Sequence, residues 1–157
     1  MQHTMKELQL SGEEIEQVLA QADVGRISTL NEKGYPYTVA VHYVWMDGKI
    51  YFHGLQKGHK LDNIKRNPKV CFEVDRLHQI LREEIEMPCK VDTLYESVVI
   101  LGDALILDEE GEKRQVLNQF VNKYTPDMEG YNLPEARVNG TAVVEINVRE
   151  MTGKAHK

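Results

Sequence analysis

Residues 24–54 read VGRISTLNEKGYPYTVAVHYVWMDGKIYFHG. Three runs rich in β-branched and aromatic residues are broken by NEKGYP at 31–36 and by Asp47-Gly48. An Asp-Gly pair between two such runs favours a tight hairpin turn of the primed type. The stretch therefore predicts a meander of three strands, at 24–30, 37–46 and 49–54. Side chains alternate between the two faces of a strand. In the second strand Val39, Val41, Tyr43 and Trp45 share one face, and Ala40, His42, Val44 and Met46 share the other. Both sets are largely apolar, so both faces are expected to be covered. A barrel interior would cover one, and a ligand or a second subunit the other.

Upstream, Ser11 and Glu14 have the spacing of a capping box. Ile15, Val18, Leu19 and Ala22 follow at helical spacing, which predicts a helix over 11–22. Downstream, a short helix is expected over 60–66, stopped by Asn67-Pro68. KVCFEVD at 69–75 reads as a fourth strand, while 77–92 gives no periodic signal. SVVILGDALIL at 97–107 reads as a fifth strand, with Gly102 marking a bulge or bend. Asp108 is expected to cap a helix whose apolar stripe is Val116, Leu117, Phe120, Val121 and Tyr124, ended by Thr125-Pro126. Residues 126–140 read as a loop. In the last strand, 141–151, Ala142, Val144, Ile146 and Val148 face inward. Six strands with short connections and few helices predict a mainly β fold. The expected form is a six-stranded antiparallel barrel with peripheral helices, its strands within 24–148.

The chain has 157 residues, which suits a single domain spanning 1–157 with a sizeable core. A net charge of −6 argues against a general nucleic-acid binder and makes any local positive cluster informative. No run of about eighteen apolar residues is present, so no membrane helix is expected. The first ten residues, MQHTMKELQL, lack the apolar centre of a secretion signal, and a cytoplasmic protein is expected. Cys71 and Cys89 form no CxxC pair, and the histidines show no compact ligand spacing, so no metal site is expected.

The meander runs into YFHGLQKGHKL at 51–61, where an apolar strand meets a positive cluster of Lys57, His59, Lys60, Lys65, Arg66 and Lys69. Lys60 stands near a helix start, where unpaired N–H groups favour an anion. A solvated helix face would explain the same charges, Lys65 and Arg66 above all. His53, beside Gly54 at a strand end, would suit proton donation or substrate binding, but also a plain structural role. No G-x-G-x-x-G, P-loop or G-x-S-x-G motif occurs.

Taken in order, GRIST, GYPYTVAV, DGKIYFHG, GHKLDNIKRNPKVCFEVD, ESVVILGDALIL and MTGK resemble the FMN-binding split-barrel flavoproteins of the pyridoxamine 5′-phosphate oxidase-like superfamily. The Nim-type nitroimidazole-resistance branch is the nearest in pattern. The resemblance runs from about Val24 to Lys154 and is strongest over 48–75. It implies a Greek-key split β-barrel that forms a homodimer, with FMN held at the subunit interface. Carried over residue by residue, it places Thr38, Val39, Val41, Phe52, His53 and Gly54 along the flavin ring. It places Lys60, with Leu61 adjacent, on the phosphate, and Arg26 as a second phosphate or ribityl contact.

The resemblance further implies an FMN-dependent oxidoreductase in which His53 is the catalytic residue. Its substrate would be a small electrophile such as a nitroaromatic compound, and its electron donor a reduced nicotinamide or another donor. An FMN-binding module with little turnover and a haem-binding split-barrel relative are the alternatives. Oxidation of pyridoxamine phosphate fits less well. Gly58, His59 and Lys60 stand where those oxidases carry serine, arginine and lysine, and the chain ends MTGKAHK without their arginine-rich motif.

Overall fold

The computed structural model describes residues 8–82 and 87–156. Six strands close into an antiparallel barrel: β1 (Val24–Leu30), β2 (Pro36–Met46), β3 (Lys49–Leu55), β4 (Lys69–Leu81), β5 (Asp92–Ile106) and β6 (Thr141–His156). Round the barrel they run β1-β2-β3-β6-β5-β4, with β4 returning to β1. Among the described residues four helices accompany them: α1 (Gly12–Gln21), α2 (His59–Arg66), α3 (Glu110–Tyr124) and α4 (Glu135–Asn139). Among the described residues, no helix is long and apolar enough to cross a membrane.

Local signals set several boundaries. The Ser11 hydroxyl accepts from the Glu14 amide at 3.3 Å, and the Glu14 carboxylate accepts from the Ser11 amide at 2.9 Å, which completes the capping box. Asp47 and Gly48 both take positive φ, 52° and 74°, as a primed hairpin turn requires. Gly58 enters α2 at φ 148°, ψ 160°, a conformation only glycine adopts readily, so the helix starts at once at His59.

The interior belongs to residues alternating along the strands. Ile27, Tyr43, Phe52, Phe72, Ile100 and Ile146 are all fully buried there. Each such side chain contributes about 1.5–3 kcal/mol by leaving water. Leu19 from α1 and Leu61 and Ile64 from α2 join the same core. A second apolar layer lies outside the barrel, where Val116 and Phe120 of α3 cover Val44, Tyr51 and Val143. Val143 and Glu145 of β6 are therefore buried as well, and the inward alternation is not the only covered face.

Other expectations change. The unassigned region 77–92 is sheet only at its two ends: β4 runs on to Leu81 and β5 begins at Asp92, opposite it; Pro88–Lys90 form a 3₁₀ turn, and 83–86 lie outside the described residues. The last strand also runs past 148, to His156. Asp108 does not cap α3; Glu109 takes that place without a side-chain hydrogen bond. The loop 126–140 contains a single 3₁₀ turn and the short α4. The outer face of β2 is covered only where α3 lies on Val44; Thr38, Ala40 and His42 are exposed.

Gly102 marks an irregularity as expected, although the extra residue, Arg149, belongs to β6: Leu101 pairs with Glu150 and Gly102 with Val148. A Cβ at Gly102 would stand 2.6 Å from the Asn147 carbonyl oxygen and 2.7 Å from Cγ2 of Ile146. The strands would have to part. Gly102→Ala is expected to lower stability by about 1–3 kcal/mol, read as an earlier urea midpoint. An unchanged midpoint would show that the two strands tolerate the extra atom.

Candidate functional site

The ladder between β2 and β3 contains only Tyr43–Met46 against Lys49–Phe52. Below it the strands part: β2 continues against β1, and residues 53–55 pair with β6. This is the split of the barrel. Backbone groups of β2 that would face β3 are left without a strand partner there, which suits a ligand. Alternation then sorts the side chains. Tyr43 and Phe52 point inward, so their neighbours His42 and His53 stand outside, next to each other.

The C-terminal half of α3 packs against both histidines. The His53 ring meets Phe120 edge-on at 4.4 Å between centroids, and His42 stacks on Tyr124 at 4.6 Å. On the other side of the cleft, α2 is pinned in two places. His59 packs on the Tyr37 ring at 5.3 Å, and the buried Asn63 amide donates to Thr29 Oγ1 at 2.9 Å. These contacts carry Lys60 across the split. Its Nζ lies 3.5 Å from where a Cβ at residue 54 would be, an ordinary contact distance, so the ammonium stands directly beside Gly54. Among the described residues, no carboxylate lies within salt-bridge distance of Lys60.

Desolvation lowers the pKa of His53 from its ordinary 6.5, although the side chain keeps an exposed edge, and the nearby His42 and Lys60 lower it further. The ring is therefore neutral at pH 7, with one N–H to donate and one nitrogen to accept. His42 was not singled out as a site residue from the sequence. Its signal was the register that puts it beside His53 once the hairpin at Asp47-Gly48 is fixed.

The other expected site residues divide into two groups. Gly54 and Lys60 come together with His53, and Thr38 lies on the exposed outer face of β2, hydrogen-bonded to Ser28 at 2.8 Å. Val39 and Val41 pack against the barrel core, and Phe52 and Leu61 are buried within it. Phe52 and Leu61 can offer a ligand in the cleft only their backbone, whereas Val39 and Val41 are half-buried. Arg26 bonds Glu73 at 3.1 Å and also pairs with Asp75, which commits its guanidinium to carboxylates on β4. A cavity of 630 Å³ lies elsewhere, between α2, the end of β5 and the start of α3.

With this geometry in place, residues 11–155 match the family described as pyridoxamine 5′-phosphate oxidase. The chain belongs to that family. Among solved structures, this family member is similar to a protein of Bacteroides thetaiotaomicron assigned to 5-nitroimidazole antibiotic resistance. The two share 24% identity and a TM-score of 0.82, over 94% of this chain and 86% of that one. A FAD-binding protein of Mesorhizobium loti is 25% identical, with a TM-score of 0.69 over 95% and 97% of the two chains. The flavocytochrome Anf3 of Azotobacter vinelandii shares the fold, with 16% identity and a TM-score of 0.85 over 100% and 72%. No curated protein matches the sequence.

The site makes a titration prediction. NMR should place the His53 midpoint below 6.5, and Lys60→Met should move it upward without restoring it, because burial is the larger cause. Since the folded-state pKa is depressed, the stability this group contributes is present above 6.5 and lost as pH falls through the folded midpoint. A midpoint unmoved by Lys60→Met would separate the two groups electrostatically.

Proposed function

We propose that the cleft at the barrel split binds FMN and that the protein is an FMN-dependent oxidoreductase. Its substrate would be a small electrophile of the nitroaromatic type. The observation that carries this reading is Lys60. Its ammonium lies over Gly54 at the strand end, beside a neutral histidine, with no carboxylate within salt-bridge distance among the described residues. The family match supports the flavin, and the likeness to the nitroimidazole-resistance structure supports the substrate class.

The residues present fit such a group. Lys60 and the first amides of α2, which have no partner within the helix, would hold the phosphate. Thr38 and the unpaired backbone of β2 would face the ring system. Phe120 and Tyr124 exclude water from one wall and fix the orientation of the two imidazoles. His53 would hold the substrate through its one N–H, or deliver that proton to it. Bound FMN would supply the passage of electrons from a reduced nicotinamide to the nitro compound.

The proposal includes a homodimer with the cofactor at its interface. Val99, Leu101 and Leu105 stand exposed on the outer face of β5, an apolar surface of the kind a second copy would cover.

Adding FMN to the purified protein should give saturable binding. Steady-state assays with a reduced nicotinamide and a 5-nitroimidazole should then show saturable turnover. Binding without turnover would leave a flavin-binding module, and absence of binding would remove the proposal. Lys60→Ala is expected to weaken FMN binding by about 1.5–3 kcal/mol, the scale of a charge-assisted hydrogen bond; equal affinity would take Lys60 out of the site. Leu101→Asp should shift sedimentation from dimer to monomer and weaken FMN binding with it. A variant that remains dimeric would place the interface elsewhere.

A further inference from the structure

The 630 Å³ cavity shares α2 with the cleft, but none of His42, His53, Gly54 and Lys60 lines it. Its volume falls in the ordinary range for small-molecule sites. The floor is apolar, built by Leu61, Ile64, Ala104, Ile106 and Ala142. One group in the wall is out of keeping with that floor. Lys113, in the first turns of α3, is only 6% exposed. Its ammonium donates to the Asn139 carbonyl at 3.1 Å, and among the described residues it has no carboxylate partner.

An ammonium has three N–H donors, and a buried charge without a counter-charge is expensive. The Asn139 carbonyl is already shared, since the Gln56 side-chain amide also donates to it, at 2.5 Å. The remaining donors of Lys113 thus lack an anionic acceptor from the described residues. Two further charges line the cavity, Lys65 and Asp108. Both are exposed and of opposite sign, so solvent screens them and they offset one another. The charge set in the wall away from solvent is the single positive one of Lys113.

We propose that this cavity is a binding site for a small organic carboxylate. The hydrocarbon body would lie on Leu61, Ile64 and Ile106, and the carboxylate would take the free donors of Lys113. The amide of Gln56, fixed against α4, stands in the same wall and orients the polar end. The site does not depend on the flavin reading, because it shares no side chain with the cleft.

The test is a titration followed by NMR, with the protein saturated with FMN if it binds FMN and as purified otherwise. The probes are hexanoate, hexan-1-ol and inorganic phosphate. Hexanoate is expected to shift the amides of Leu107, Lys113 and Asn139 saturably. Hexan-1-ol, which lacks the charge, and phosphate, which lacks the hydrocarbon, should each bind about tenfold or more weakly, the scale of a charge-assisted hydrogen bond. Lys113→Met should bring hexanoate down to the level of the alcohol, while Lys113→Arg should retain most of its binding. Equal binding of hexanoate and hexan-1-ol to the wild-type protein, equal binding of phosphate, or shifts confined to other surfaces would overturn the assignment. That comparison among probes needs no variant, so it stands even if Lys113→Met fails to fold.

Discussion

The phenol of Tyr43 is fully buried and donates to the Leu19 carbonyl at 2.7 Å, which fastens α1 to β2. The Tyr43 ring meets Phe72 of β4 edge-on at 5.1 Å, and the Lys123 ammonium lies 4.2 Å from its centre. Its backbone is held as well. The ladder between β1 and β2 stops at Val24 opposite His42, and the next place is filled by a side chain. The Tyr124 hydroxyl accepts from the Tyr43 amide at 3.0 Å, and its proton has the Tyr43 and Asp23 carbonyls within 2.7 and 2.8 Å. Lys123, one residue earlier, donates to the Ala22 carbonyl at the end of α1, where positive charge is favoured. One tyrosine thus joins α1, β2, β4 and α3, and the register of α3 on the barrel follows from it. Phe120 and Tyr124 can meet His53 and His42 only because α3 is fixed at this point.

The same tie explains what could be read from the sequence. Ser11 with Glu14 and Asp47 with Gly48 act over a few residues, so short patterns revealed them. The alternation along β2 was also legible, and it correctly grouped Val39, Val41, Tyr43 and Trp45. Which group faces inward was not, because both are apolar and the choice is made by distant Leu19 and Phe72. The resemblance placed Val39, Val41, Phe52 and Leu61 along the ligand; in the structure the side chains of Phe52 and Leu61 are buried in the core and those of Val39 and Val41 pack against it. The continuation of β4 through Leu77 and Ile80 left no readable signal, since those side chains are exposed and neither face of that segment is buried. The resemblance placed Arg26 as a second phosphate or ribityl contact; the carboxylates it pairs with on β4 are forty-seven and forty-nine positions away.

The short helix α2 has two different sides. Lys60, at its first turn, is carried toward the split by His59 on Tyr37. Leu61 and Ile64 turn into the core and also floor the cavity beside Lys113. The amphipathic character of this helix therefore does more than bury one face. It separates two positive centres, Lys60 at the split and Lys113 in the cavity wall.

The barrel closes through two joints between distant segments, β1 with β4 and β3 with β6. The second joint pairs His53 with Val143 and Gly54 with Ala142. Hairpins such as β2–β3 form early because their loops are short, whereas these joints wait on a large loss of chain entropy. The residues at the split are therefore held by contacts of long sequence separation. A molecule that binds this cleft recognises the finished barrel and draws the equilibrium toward it. Occupancy of the cleft and completion of the ring of strands are then one thermodynamic event, so a substitution that loosens β6 on β3 would register as weaker ligand affinity even though it touches no ligand.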